Sequence, residues 1–279
     1  MKHTLVHTVF GLGAVDRQPC ALEKLRQTRV ISWLDCLAQM PNRSTKEKIK
    51  IKKAWENMFS YYGSKSKIVD LYPKPQHSLI IEPFAGSAKY AMKYWKNDVI
   101  LIEKYDVVYK LWKWLQECSS NDILKLPILK QGDDLNNFVF DCEEAKIFMG
   151  YLTAQGVAKP QNKAVFRATT HRPNWIKYSL ERMSKDIEKI KHWDIRQGCY
   201  SDLQNVEATW FIDPPYQFGG EHYPMSNKDI DYAILADWCK SRNGQVLVCE
   251  NSKADWLEFK NINLMKGSKY RTMEALWTK

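Results

Sequence analysis

The sequence predicts an α/β fold: a mainly parallel sheet with helices on both faces and an inserted region that interrupts it. Three observations predict it. From Ser78 onward short apolar strands alternate with amphipathic helices, two of these strands run straight into tight turns, and between about residues 121 and 198 the alternation dissolves into polar, basic and aromatic sequence. Parallel strands need crossover connections, and the crossover helices cover the sheet. With 279 residues, 44% of them hydrophobic, the chain can bury the core of one large domain carrying an insertion.

The elements follow in order. Residues 1–57 have a different character, with a short helix expected near residues 30–40 and then a basic run at 43–53. That run sets Arg43, Lys46, Lys48, Lys50, Lys52 and Lys53 against Glu47 alone. A solvated helix or linker is the simpler reading, and a DNA-backbone contact the other. Residues 79–81 form an apolar strand ending at Glu82-Pro83, and Gly86-Ser87 opens a helix to about Trp95. Residues 99–102 read as the next strand. Asp106 is the expected N-cap of a helix whose Val108, Leu111, Trp112 and Leu115 share one face. Later come a strand at 209–212, a helix at 229–240 with Ile230, Ile234 and Trp238 on one side, and a strand at 245–249. The expected divisions are 1–57, 58–120, an insertion at 121–198, and 199–279.

Forty-two Lys and Arg against 32 Asp and Glu give a net charge of +10, which favours a polyanionic partner such as nucleic acid. The seven cysteines are scattered and never spaced Cys-x-x-Cys, so they read as reduced thiols and provide no metal site. No apolar run reaches the ~20 residues of a membrane span. These features suit a cytoplasmic chain with no metal and no membrane partner; the expected assembly is a monomer or weak dimer.

The sharpest motif is Asp213-Pro214-Pro215-Tyr216, directly after the apolar strand Trp210-Phe211-Ile212. Chance would place this tetrapeptide in about one chain in a thousand of this length. An exocyclic adenine amine is a weak nucleophile because its lone pair is delocalised into the ring. A site can return density to the nitrogen by accepting its N–H bonds: a carboxylate takes one, a backbone carbonyl the other, and an aromatic face holds the flipped base. Asp213, the Pro214 carbonyl and Tyr216 supply these in order. A second motif, Glu82-Pro83-Phe84-Ala85-Gly86-Ser87, places small residues and the open amides of a helix start where a carboxylate could approach. Glu103 ends the following strand, seventeen residues after Gly86; an acid ~20 residues beyond such a turn commonly holds ribose hydroxyls. A third element is the turn Phe59-Ser60-Tyr61-Tyr62-Gly63-Ser64-Lys65.

In this order the motifs resemble those of the Dam-like, or D12-class, DNA N6-adenine methyltransferases of bacteria and their phages. That family's aromatic-Gly-Gly-Lys element is matched by Tyr61 to Lys65 with Ser64 at the second Gly, its Glu-Pro-Phe-x-Gly loop by Glu82 to Gly86, its strand-end acid by Glu103, and its Asp-Pro-Pro-Tyr by Asp213 to Tyr216. The resemblance spans about residues 58–279. It implies a Rossmann-like fold that binds S-adenosyl-L-methionine. Tyr61, Lys65, Glu82, Phe84 and Gly86 would surround the methionine part, with Tyr62, Gly63, Pro83, Ser87 and Asp213 beside them, and Glu103 would take the ribose. Where the family often carries Gly-Asp-aromatic, this chain reads Gly198-Cys199-Tyr200-Ser201-Asp202, so Asp202 is the candidate substitute.

The expected partner is double-stranded DNA. Residues 153–177 contain no acidic residue, and Lys159, Lys163, Arg167, His171, Arg172 and Lys177 there can neutralise phosphates or read base edges. Methylation of adenine in RNA or of cytosine N4 uses the same amine chemistry and remains an alternative, as does a non-catalytic nucleic-acid-binding module.

Overall fold

Buried strands set the architecture. In a computed structural model, which describes residues 58–154, 156–166, 174–266 and 271–279, seven strands form one sheet in the order β3-β2-β1-β4-β5-β7-β6. They are β1 Leu79–Glu82, β2 Asp98–Glu103, β3 Asp194–Gln197, β4 Ala208–Ile212, β5 Gly244–Asn251, β6 Lys260–Lys266 and β7 Arg271–Thr278. The first five are parallel in the doubly wound Rossmann order 3-2-1-4-5, and β7 enters antiparallel between β5 and β6. By its internal packing the chain divides into Met1–Lys48 and Ile49–Lys279, and every described residue lies in the second unit. The short helix expected at 30–40 and the basic run at 43–53 lie outside the described residues.

Every residue of β4 is buried, as a central strand covered on both faces must be. Its side chains alternate between two cores. Phe211 joins Ile80, Leu101 and Leu247 on one face, whereas Trp210 and Ile212 join Ile81, Val246 and Val248 on the other. Six α-helices are described: α1 Lys89–Lys93, α2 Asp106–Glu117, α3 Ser120–Leu124, α4 Glu143–Thr153, α5 Trp175–Asp186 and α6 Tyr232–Ser241. Helix α2 buries Val108, Leu111, Trp112 and Leu115 in the first core, the face its spacing predicts.

Several local expectations are corrected. The helix after Gly86 does not start there: Gly86 (φ 46°) and Ala88 (φ 43°) are both left-handed, so α1 begins only at Lys89 and is five residues long. It is too short to offer an anion site at its N-terminus. Tyr105, not Asp106, is the N-cap of α2, and Asp106 instead pairs with Lys110 one turn on at 2.8 Å. Helix α6 starts at Tyr232 because the Asp231 carboxylate accepts from the amides of Ala233 and Ile234 at 3.0 and 3.1 Å. In that register Leu235, Ala236 and Cys239 are buried; of the expected stripe Ile230 and Trp238 are half-buried against the second core, whereas Ile234 is exposed. The span 121–198 holds α4 and α5, which pack on α2 and α3 respectively, and it also holds β3, which pairs with β2. The sheet therefore resumes before residue 199.

Candidate active site

The site grows from the carboxyl ends of β1 and β4, adjacent strands whose chain connections leave in opposite directions across the sheet. Doubly wound sheets bind ligands at such a switch point. After β1 the turn is fastened from behind. The Ala85 amide donates to the Ile102 carbonyl at 3.0 Å, the Gly86 amide to Glu103 Oε2 at 3.0 Å, and the Trp112 indole to the Gly86 carbonyl at 2.9 Å. The Tyr61 ring lies 3.3 Å from where a Cβ on Gly86 would stand. Gly63 has φ 74°, and a Cβ there would fall 1.9 Å from the Tyr223 hydroxyl, so this turn admits only glycine without rearrangement. Tyr223 comes from the loop after β4 and stacks edge-on against Tyr62 at 5.2 Å between centroids.

These pieces enclose a cleft with about 350 Å³ of open space, lined among others by Tyr61, Tyr62, Gly63, Lys65, Glu82, Phe84, Gly86, Ser87, Asp213 and Tyr223. Of the twelve expected cofactor residues, nine thus line one cleft, drawn from three separate stretches of chain. Pro83, Glu103 and Asp202 do not. Pro83 is buried in the turn. Glu103 accepts from the Gly86 and Tyr105 amides, the latter at 2.9 Å, and so braces the turn from the far side. The exposed Asp202 caps its own turn by accepting from the Cys199 amide at 2.8 Å.

The charged centre is compact. Lys65 Nζ lies 2.7 Å from Asp213 Oδ1 and 4.6 Å from the centroid of the Tyr216 ring, and it donates to the Gly63 carbonyl at 3.3 Å. Burial pushes the Asp213 carboxyl up to about 6; Lys65 opposes the rise and Glu274 adds to it. Burial works against the Lys65 charge, but Asp213 and Glu274 outweigh it and hold the ammonium above its usual value. Glu82 is also raised well above the carboxylate range by burial, against the pull of the Ala91 amide that donates to it at 2.6 Å. The Pro215 carbonyl is held by the Tyr232 hydroxyl at 2.6 Å, which orients the motif from α6.

Two residues of this centre are absent from the motifs. Glu274 of β7 is 4% exposed and accepts from the hydroxyls of Tyr216 and Tyr72 at 2.8 and 2.7 Å. A lone acid within Thr272-Met273-Glu274-Ala275-Leu276-Trp277 is the signal the sequence offers for it; Tyr72 has none. Among the expected nucleic-acid residues, Lys159, Lys163 and Lys177 are exposed, whereas Arg167, His171 and Arg172 lie outside the described residues. Among the described residues no helix is long and apolar enough to cross a membrane, and no cluster of three His, Cys, Asp or Glu could hold a metal. Comparison with models of known protein families and with curated proteins finds no match.

Proposed function

We propose that this protein transfers a methyl group from S-adenosyl-L-methionine to the exocyclic N6 of adenine in double-stranded DNA, acting in the cytoplasm on a flipped base. The observation that carries the reading is the meeting, in one cleft at the β1/β4 switch point, of Asp213 with Lys65, Glu82 and the Gly86 turn, with the Tyr216 ring of the same motif against Lys65. A ligand with a carboxylate, an ammonium and a cationic sulfur would find a buried lysine, a buried acid and aromatic walls there, so the residues fit that cofactor. When bound, it would supply an electrophilic methyl group, its sulfur–methyl bond breaking as the neutral thioether leaves.

The chain's own residues do the rest. The Asp213 carboxylate accepts one N–H of the target amine and so concentrates its lone pair on nitrogen as the new N–C bond forms. The nitrogen can lose its proton after transfer, so Asp213 need not be a full base. Tyr216 offers a ring face to the base, and the backbone at Pro214 offers the second acceptor. Glu82 is positioned for the ammonium and the Gly86 turn for the methionine backbone. Exposed Lys159, Lys163 and Lys177 supply phosphate contacts. Incubating the full chain with duplex DNA and methyl-labelled S-adenosylmethionine tests the reading. Label recovered as N6-methyladenine supports it. Label only in RNA or on cytosine N4 would move the target, and binding of nucleic acid without transfer would leave a non-catalytic module.

A further inference from the structure

Lys65 occupies the place that a substrate amine would need. Its ammonium is a donor 2.7 Å from Asp213 and stands over the Tyr216 ring, which is what the target nitrogen must also do. An amine approaching Asp213 therefore displaces a cation, and Lys65, only 5% exposed, cannot simply swing into solvent. A buried ammonium stripped of its counter-ion carries a heavy desolvation penalty.

Glu274 answers this. Its Oε1 lies 3.9 Å from Lys65 Nζ, on the same side as Tyr216, and is already fixed in direction by the hydroxyls of Tyr216 and Tyr72. We propose that Glu274 is a positioning residue, a second carboxylate seat to which Lys65 shifts by about an ångström when the substrate amine takes Asp213. The inference rests on the reading of Asp213 as the acceptor of that amine. Lys65 stays charged and paired throughout, and the Tyr216 ring is held by the same carboxylate that receives the cation. Glu274 is presented here by the antiparallel strand β7, opposite Asn251 of β5, so a strand outside the Rossmann order contributes the seat. The other titratable groups that bear on Lys65 and Asp213 are Cys249, Tyr223, Glu82 and, on β5, Glu250, which accepts from the Gln217 and Asn251 amides. The thiol and the phenol are raised by burial and stay neutral, and Glu82 is engaged with the Ala91 amide.

Glu274→Gln in the full chain keeps the shape and an acceptor for both hydroxyls but removes the charge. The expected result is a folded protein with cofactor KM within about twofold of the parent, kcat lower by about tenfold or more, and the acid limb of the kcat profile moved to lower pH. In a Lys65→Met background the same substitution should add nothing further. A parental kcat and acid limb in Glu274→Gln would overturn the proposal, as would an equal loss in the Lys65→Met background, since Glu274 would then act only by anchoring Tyr216. A readout without turnover separates this from failure of the methyltransferase reading: the Asp213 carboxyl carbon, followed by NMR in the substrate-free protein, should titrate at lower pH in Glu274→Gln. An unchanged Asp213 titration overturns the proposal even if the parent methylates nothing.

Discussion

Replacing Asp213 by Asn should make the protein more stable and inactive. The substitution keeps the side chain's shape and removes its charge, which reproduces the protonated carboxyl. An aspartate that titrates at 3.8 in an unfolded chain and at about 6 in the fold carries an electrostatic cost. At 1.36 kcal/mol per pH unit, raising it from 3.8 to about 6 amounts to at most about 3 kcal/mol. The sign follows from the direction. Below pH 3.8 the carboxyl is neutral in both states and the cost is absent; as pH rises through about 6 the folded carboxylate ionises in its buried site and the cost is complete. The attraction of Lys65 is already contained in that shift, and Glu274 remains to pair Lys65 in the variant. Urea denaturation should therefore place the Asn variant up to about 3 kcal/mol above the parent at about pH 8, with a melting temperature roughly 6–10 °C higher, and the difference should vanish near about pH 4. Methyl transfer should fall by ~100-fold or more for loss of one preorganised acceptor. A variant less stable than the parent at the higher pH, or a stability difference that does not change with pH, would refute the reasoning by showing that the Lys65–Asp213 pair holds the fold together.

Two further substitutions probe the walls of the site and its surroundings. Gly63→Ala combines a left-handed backbone, costing about 1–2 kcal/mol in an L-residue, with a Cβ 1.9 Å from the Tyr223 hydroxyl, so Tyr223 must move. Calorimetric titration should show S-adenosylmethionine affinity reduced about tenfold or more; an unchanged Kd would remove Tyr223 from the cofactor wall. Neutralising the exposed Lys159 and Lys163 together should weaken binding to all DNA sequences alike and flatten the log–log salt dependence by up to ~0.9 for each phosphate no longer neutralised. Parental affinity and slope would put the DNA-facing surface elsewhere on the chain.

How much is legible in the sequence depends on how locally each feature is encoded. The strand at β4 declares itself because both faces are buried and the run Ala208-Thr209-Trp210-Phe211-Ile212 stays mostly apolar, and α2 because its four buried residues fall at helical spacing. The start of α1 is not legible, because a left-handed Ala88 is invisible in the sequence. The alternating pattern in β6, Asn261-Ile262-Asn263-Leu264, is the sign of an antiparallel strand, and it escapes a reading built on strands separated by helices. In the site, the motif residues are legible because each sits in a compact run. The pairing of Lys65 with Asp213 and the convergence of Tyr72, Tyr216 and Glu274 are not, because they arise only when β1, β4 and β7 are gathered into one sheet.

On the proposed reading Asp213 activates an adenine amine in DNA. Nucleosides released from the DNA of cells producing the full chain, resolved by mass spectrometry, test it most directly against cells producing the Asp213→Ala variant at equal levels. N6-methyl-2′-deoxyadenosine is expected in the first sample and its loss from the second. Equal amounts in both, or none in either with the protein folded and bound to S-adenosylmethionine, would contradict it.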